Sequence, residues 1–214
     1  NDTPFMFDCR IDQLDRALLL RLKEAGLRQV FVGVEHNSSA SMSALTKGLT
    51  PRLVEERLAL LDELGLSLIP GYIVFLPWES PAQVLDSFRF FRSLGYYDLW
   101  RGTSLLKHYP GTPLAGNSAA RPKWQESFEV CFAEFLRIAL LRFIEIDSAH
   151  NEVANSEVQV LCRCHYDTIE ALLECYCYNE ATPLAAECAD IVSSGIWELE
   201  RIVASIKLRI HECT

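Results

Sequence analysis

Hydrophobic positions follow one grammar in the first half of the chain and another in the second. In the first half, short apolar runs alternate with longer stretches of helical period, and glycines close the helical stretches. The apolar run over 5–10 predicts a strand. Asp12 is placed to cap the helix after it, with Leu14, Leu18 and Leu22 on one face and Gly26 at its end. The second run, QVFVGVE over 29–35, is too apolar on both faces to leave one side in water. Its helix opens at Thr50-Pro51, a cap followed by proline at the first helical position, and closes at Gly65. A third strand is expected over 68–76, with a helix from Ser80-Pro81 to Gly95, and a fourth strand over 98–106. Strands alternating with helices predict βα units and a parallel sheet. About four strands make half a barrel or part of an open sheet, not a closed eight-stranded barrel.

The grammar ends at AGNSAARP, residues 115–122, where composition turns small and polar. Three helical stretches are predicted beyond it, over 123–147, 156–178 and 183–211, with Gly195 as a candidate break in the last. The fold class is α/β: a partial (β/α) barrel with parallel strands over 1–116, followed by a helical C-terminal region over 117–214.

Composition narrows the partners. Half of the 214 residues are hydrophobic and 23% are charged, which suits a globular chain, and the net charge of -9 offers no basic surface for nucleic acid. Arg142 and Glu145 interrupt the richest apolar stretch, 138–146, so no membrane partner is expected. The chain opens on Asn1 rather than Met, with no basic-then-apolar leader; a cytoplasmic location and a removed upstream segment are the expectations. Eight cysteines crowd toward the last third, where reduced thiols are expected rather than a disulfide framework.

Ligands of parallel α/β sheets bind at the carboxyl ends of the strands. Side-chain alternation puts Phe31, Gly33 and Glu35 on one face and Val30, Val32 and Val34 on the other. Asp8 and Arg10 share a face at the end of the first strand. Gly71, Ile73 and Phe75 share one in the third, with Glu79 just past the turn. A carboxylate, a guanidinium and a track of small residues suit a zwitterionic, partly apolar ligand, although strand-end charges equally serve as caps and solvent pairs. Cys162, Cys164, Cys175 and Cys177, with His165, invite a metal reading. On one continuous helix Cys164 and Cys175 would stand roughly 16 Å apart, so a metal ion or auxiliary cluster would need the helix to break; no metal ligand is assigned. Cys9 faces away from Asp8 and Arg10 and is expected to pack against a helix. His36, His108 and Tyr109 are loop candidates for substrate contact, Lys47 and Gly48 receive no chemistry, and Phe88, Phe90, Phe91, Tyr96, Tyr97 and Trp100 are read as core.

FDCRID (7–12), LKEAGLRQVFVGVE (22–35), TKGLT (46–50), GYIVFLPWES (71–80) and YPGTPL (109–114), in this order, resemble the radical S-adenosylmethionine superfamily. The branch they resemble most often carries an N-terminal cobalamin-binding domain. The resemblance runs over 5–114 and implies the C-terminal half of a partial (β/α) barrel. In that family a CxxxCxxC loop after the first strand holds a 4Fe-4S cluster, which binds the amino and carboxylate groups of S-adenosylmethionine. An electron from an external donor then cleaves the ligand to a 5′-deoxyadenosyl radical. The resemblance implies that Glu35 contacts the ribose or methionine moiety, that Arg10 reaches the carboxylate, and that Gly71 and Ile73 lie against adenine. Phe75 stands where the G-x-I-x-G-x-x-E pattern has its second glycine, and either stacks near adenine or fills the site; Glu79 is implied as structural, and Trp78 stands where many members have glycine.

No CxxxCxxC exists in the chain, so the cluster ligands are expected upstream, the chain alone is expected to be inactive, and no catalytic residue is assigned. The implied cofactors are S-adenosylmethionine, the 4Fe-4S cluster and, as an optional addition, cobalamin. The implied reaction on a small-molecule or peptide substrate is methylation, rearrangement or hydrogen abstraction. Two other readings stay open: a non-catalytic remnant with a partner-binding helical tail, and an unrelated partial-barrel enzyme using Glu35 and Asp8 in acid–base chemistry.

Overall fold

The computed structural model describes residues 3–45, 48–93, 122–147, 155–179 and 185–213. The predicted fourth strand, Lys47, His108, Tyr109, the YPGTPL motif and the 116/117 boundary lie outside these residues. The described chain divides into two compact units, one running to Val74 and the other beginning at Phe75.

The first unit holds a three-stranded parallel sheet in the order β1 (Phe5–Arg10), β2 (Leu27–Glu35), β3 (Ser67–Tyr72). This bears out the expected parallel α/β class. Val30, Val32 and Val34 are fully buried, and Leu68 and Tyr72 of β3 are buried beside them. Each such valine contributes about 1.5–3 kcal/mol relative to exposure. Phe31, Gly33 and Glu35 on the opposite face are only half-buried.

Helices α1 (Arg16–Glu24) and α3 (Pro51–Glu63) begin where the sequence provides caps. Thr50 Oγ1 accepts the Leu53 N–H at 3.2 Å, and Gly65 closes α3 at φ +61°. Asp12 does not cap α1. Residues Ile11–Gln13 form a 3₁₀ turn that delays the helix, so extended Asp15 takes the cap and accepts the Leu18 N–H at 2.9 Å. Beyond β2 lies a short helix that hydrophobic periodicity did not predict, α2 (Ser39–Ala44), capped by Ser38. β3 stops at Tyr72 rather than running to 76, because β2 turns away at Glu35 and leaves it one further backbone bond, Ile73 N–H to Glu35 C=O at 2.9 Å.

The second unit is helical in its described residues: α4 (Pro81–Ser93), α5 (Lys123–Asp147), α6 (Asn155–Tyr178) and α7 (Ala185–Cys213). Ser80 and Gln83 form a reciprocal capping box at the start of α4: Ser80 N–H donates to Gln83 Oε1 at 3.0 Å, and Gln83 N–H to Ser80 Oγ at 3.4 Å. Helix α6 packs against the other three. Tyr166, fully buried on α6, lies between Phe88 and Phe91 of α4, with ring centroids 5.1 and 6.3 Å away. Arg89 and Arg92 bind Glu170 from the same helix, and also reach Glu174 and Asp167. Partly exposed pairs of this kind contribute about 0–1 kcal/mol each, so aromatic burial carries the α4–α6 interface and the ions fix its register.

Gly195 does not break α7. It sits where α7 crosses α6: a Cβ there would lie 2.4 Å from Thr168 Oγ1 and 3.1 Å from Phe135 Cε2. Glycine serves close helix approach here rather than termination. Gly195→Ala should lower stability by about 1–3 kcal/mol in urea unfolding, and Thr168→Ala in the same chain should recover part of that loss. Additive losses in the double variant would refute the crossing as the cause.

Burial pushes the Glu170 carboxyl up, but the hydrogen bonds and charges of Arg89 and Arg92 outweigh it and hold it below its ordinary 4.5. A carboxyl held low in the folded state stabilises above its unfolded value, and that contribution is lost as pH falls through the folded value. Thermal unfolding followed from pH 6 to pH 3 should show acid destabilisation below about pH 4.5 that Glu170→Gln partly removes, by less than about 1 kcal/mol given the exposure of the network.

Candidate functional site

Strand register brings three predicted positions into one row across the first unit: Arg10 pairs with Gly33, and Gly33 with Gly71. Gly33 and Gly71 lie so close that a Cβ on Gly71 would meet Gly33 Cα at 3.5 Å. Two neighbouring side chains cover this track. The Phe31 ring leans over Gly71, its Cζ 2.9 Å from the position a Cβ would take, and Glu35 Oε1 lies 2.7 Å from the corresponding point above Gly33.

Glu35 reaches that position through an unusual backbone. Its φ is +66°, the one positive value at a described non-glycine residue. The His36 N–H donates to Val34 C=O at 2.9 Å, closing a three-residue turn around Glu35, and the β2–β3 register shifts at the same point. Such a conformation costs of order 1–3 kcal/mol and persists only where surrounding structure holds it. Here the holding groups are visible. Ile73 N–H donates to Glu35 C=O at 2.9 Å, and the buried His36 ring stacks on Tyr72 with centroids 5.7 Å apart. Ser38 N–H donates to His36 Nδ1 at 3.1 Å, and Tyr72 Oη donates to Asn37 Oδ1 at 2.8 Å. His36 is therefore buried rather than a surface loop residue, and it braces the turn.

Arg10 is exposed and forms a two-pronged pair with Asp12, at 3.0 and 2.8 Å. The hydrogen bond and charge of Asp12 raise the guanidinium further, with a contribution from Glu35, and the hydrogen bond from Arg10 lowers the Asp12 carboxyl. Asp12, expected to cap a helix, instead orients the arginine. Ile73 is half-buried immediately after β3. Phe75 belongs to the second unit, where its buried ring packs 5.3 Å from Phe128 and 6.4 Å from Trp124. Glu79 is buried there too, and its carbonyl accepts the Trp124 indole N–H at 3.2 Å. Asp8 is exposed and pairs with Phe31, four residues and roughly 13 Å of strand before Glu35.

The cysteines arrange differently from their sequence spacing. Helix α6 is unbroken from Asn155 to Tyr178, so Cys162 and Cys164 cannot close on Cys175 and Cys177. Among the described residues no group of His, Cys, Asp or Glu side chains is arranged to hold a metal ion. Cys175 donates to Glu187 Oε2 at 3.5 Å and Tyr176 Oη to Cys131 Sγ at 3.7 Å, contacts between helices that linear spacing did not announce. Half-buried Cys9 has its thiol pushed up by burial and then by Asp8, which disfavours a reactive thiolate.

No family model and no curated protein matches the chain. Solved structures similar to it include two of one enzyme. One is the cobalamin-dependent S-adenosylmethionine radical enzyme OxsB with aqua-cobalamin and S-adenosylmethionine bound, at a TM-score of 0.69 and 14% identity over 99% of this chain and 44% of that one. The other is the apo, selenomethionine-labelled form of the same enzyme, at a TM-score of 0.51 and 13% identity over 99% of this chain and 43% of that one. The chain thus spans less than half the length of those proteins and shares the fold of that portion. No helix among the described residues is long and apolar enough to cross a membrane.

Burial, then the charges of Glu198 and Asp167, push the Cys164 thiol up to about 12 from an ordinary 9.0. At pH 8 the folded chain should therefore carry about a thousandth of the Cys164 thiolate of the unfolded chain. Iodoacetamide labelling read by mass spectrometry should slow by about that factor, and equal rates in urea and buffer would contradict the burial.

Proposed function

We propose that the chain is part of a radical S-adenosylmethionine enzyme and that its sheet face contributes to the S-adenosylmethionine site. The single observation that carries this reading is the row Arg10–Gly33–Gly71 with the Glu35 carboxylate folded onto it, in a chain whose fold matches part of a cobalamin-dependent S-adenosylmethionine radical enzyme. The donor set suits the ligand. A guanidinium oriented by Asp12 suits a carboxylate, and a fixed carboxylate suits ribose hydroxyls or an ammonium group. Ile73 and the Phe31 ring supply apolar surface beside them. Phe75 acts as packing in this reading, since its ring is taken up by Phe128 and Trp124.

When bound and reduced, S-adenosylmethionine supplies a carbon-centred radical. This chain's own residues bind and orient the ligand: Arg10 by charge, Glu35 by hydrogen bonding from a pre-set backbone, Gly71 by close approach. The described residues do not fit a 4Fe-4S cluster, because no group of their His, Cys, Asp and Glu side chains is arranged to hold a metal. Its ligands belong to preceding sequence in this reading. Cobalamin enters through the sequence resemblance and the similar structures.

The test uses the full parent protein, reconstituted anaerobically with iron and sulfide and supplied with a reductant. Formation of 5′-deoxyadenosine is expected, and its absence from a folded, clustered sample would sink the assignment. Glu35→Ala should weaken S-adenosylmethionine binding by about tenfold or more while the unfolding midpoint stays in place.

A further inference from the structure

We propose that Gly33 is a positioning residue: its missing side chain is the seat that holds the Glu35 carboxylate over the sheet at the level of Arg10. The inference rests on the S-adenosylmethionine reading only for the ligand's identity. The seat itself follows from geometry. A glutamate ending a strand in ordinary extended backbone would stand roughly perpendicular to the sheet. The turn at φ +66° instead carries Glu35 back over the preceding same-face residue. That residue must lack a side chain, because a Cβ at Gly33 would stand 2.7 Å from Glu35 Oε1 and 3.5 Å from its Cδ.

Nothing else lies within 4 Å of that point, and the Gly33 backbone is not in the left-handed region. Alanine at position 33 is thus conformationally ordinary, and its one conflict is with the far end of a flexible side chain. The carboxylate would move and the fold would not. Gly71 differs, since a Cβ there meets the Phe31 ring at 2.9 and 3.1 Å, so a substitution at Gly71 mixes displacement with strain. Positive φ at Glu35 is the complementary half of the device. A backbone strained to aim one carboxylate and a glycine that receives it make sense together as pre-organisation, which raises affinity by removing the ordering cost at binding.

The experiment compares the full parent protein with its Gly33→Ala, Glu35→Ala and Glu35→Gly variants. Without ligand, the ¹³C carboxyl resonance of Glu35 should move in Gly33→Ala while the melting temperature stays level or rises; an unmoved resonance overturns the seat. Glu35→Gly should melt about 2–4 °C higher, because glycine adopts positive φ without strain, and a lower melting temperature would overturn the strain. Calorimetric titration with S-adenosylmethionine should show Gly33→Ala binding about tenfold to a hundredfold more weakly than wild type, near the Glu35→Ala value. Equal affinity of wild type and Gly33→Ala, with Glu35→Ala weakened, would overturn positioning by Gly33. A wild-type parent protein, reconstituted with iron and sulfide, that takes up no S-adenosylmethionine refutes the ligand assignment instead, and the carboxyl resonance then decides the seat alone.

Discussion

The strand β2 is the constraint on which the first unit depends. Its two faces answer to opposite demands. Val30, Val32 and Val34 give up all exposure to anchor the sheet, while Phe31, Gly33 and Glu35 keep the other face half-open. β2 is also the central strand, so β1 and β3 take their register from it: Arg10 and Gly71 stand in one row only because each pairs with Gly33. A one-residue slip would turn the valines to the open side and scatter that row.

The strand tip shows how a fold holds an unfavourable conformation. Positive φ at a glutamate is costly, and the cost is offset by a buried histidine stacked on a buried tyrosine and by backbone bonds on both sides of the turn. Stability from ordinary packing is converted into the placement of one charged group. The opposite economy rules the second unit, where glycine at 195 lets two helices approach and burial keeps thiols protonated and chemically quiet. The pairs Cys162/Cys164 and Cys175/Cys177 invite a metal or redox function, and the unbroken helix α6 keeps the two pairs apart.

Much of the architecture was legible in the chain. Apolar runs of strand length, the Thr50-Pro51 and Ser80-Pro81 caps and the helical stretch over 123–147 correspond to elements of the structure, because local propensity and burial agree there. Face assignments on β2 were equally readable, since alternation in a strand has a fixed period. The departures share a cause. Asp12 looked like a cap and became the partner of Arg10, and Gly195 looked like a break and became a crossing point. In both cases a contact outside the local helix decided the role.

The sequence by itself determined the parallel α/β class, the helical extension and the residue types available at the strand ends, because these depend on period and composition. Only the tertiary structure decided that Gly33 and Gly71 are lateral neighbours, that Glu35 turns back rather than outward, that His36 is a buried brace and that Phe75 is spent in an aromatic cluster. Those facts depend on register and on φ at one residue. Both are fixed by contacts between segments far apart in the chain, which no local pattern encodes.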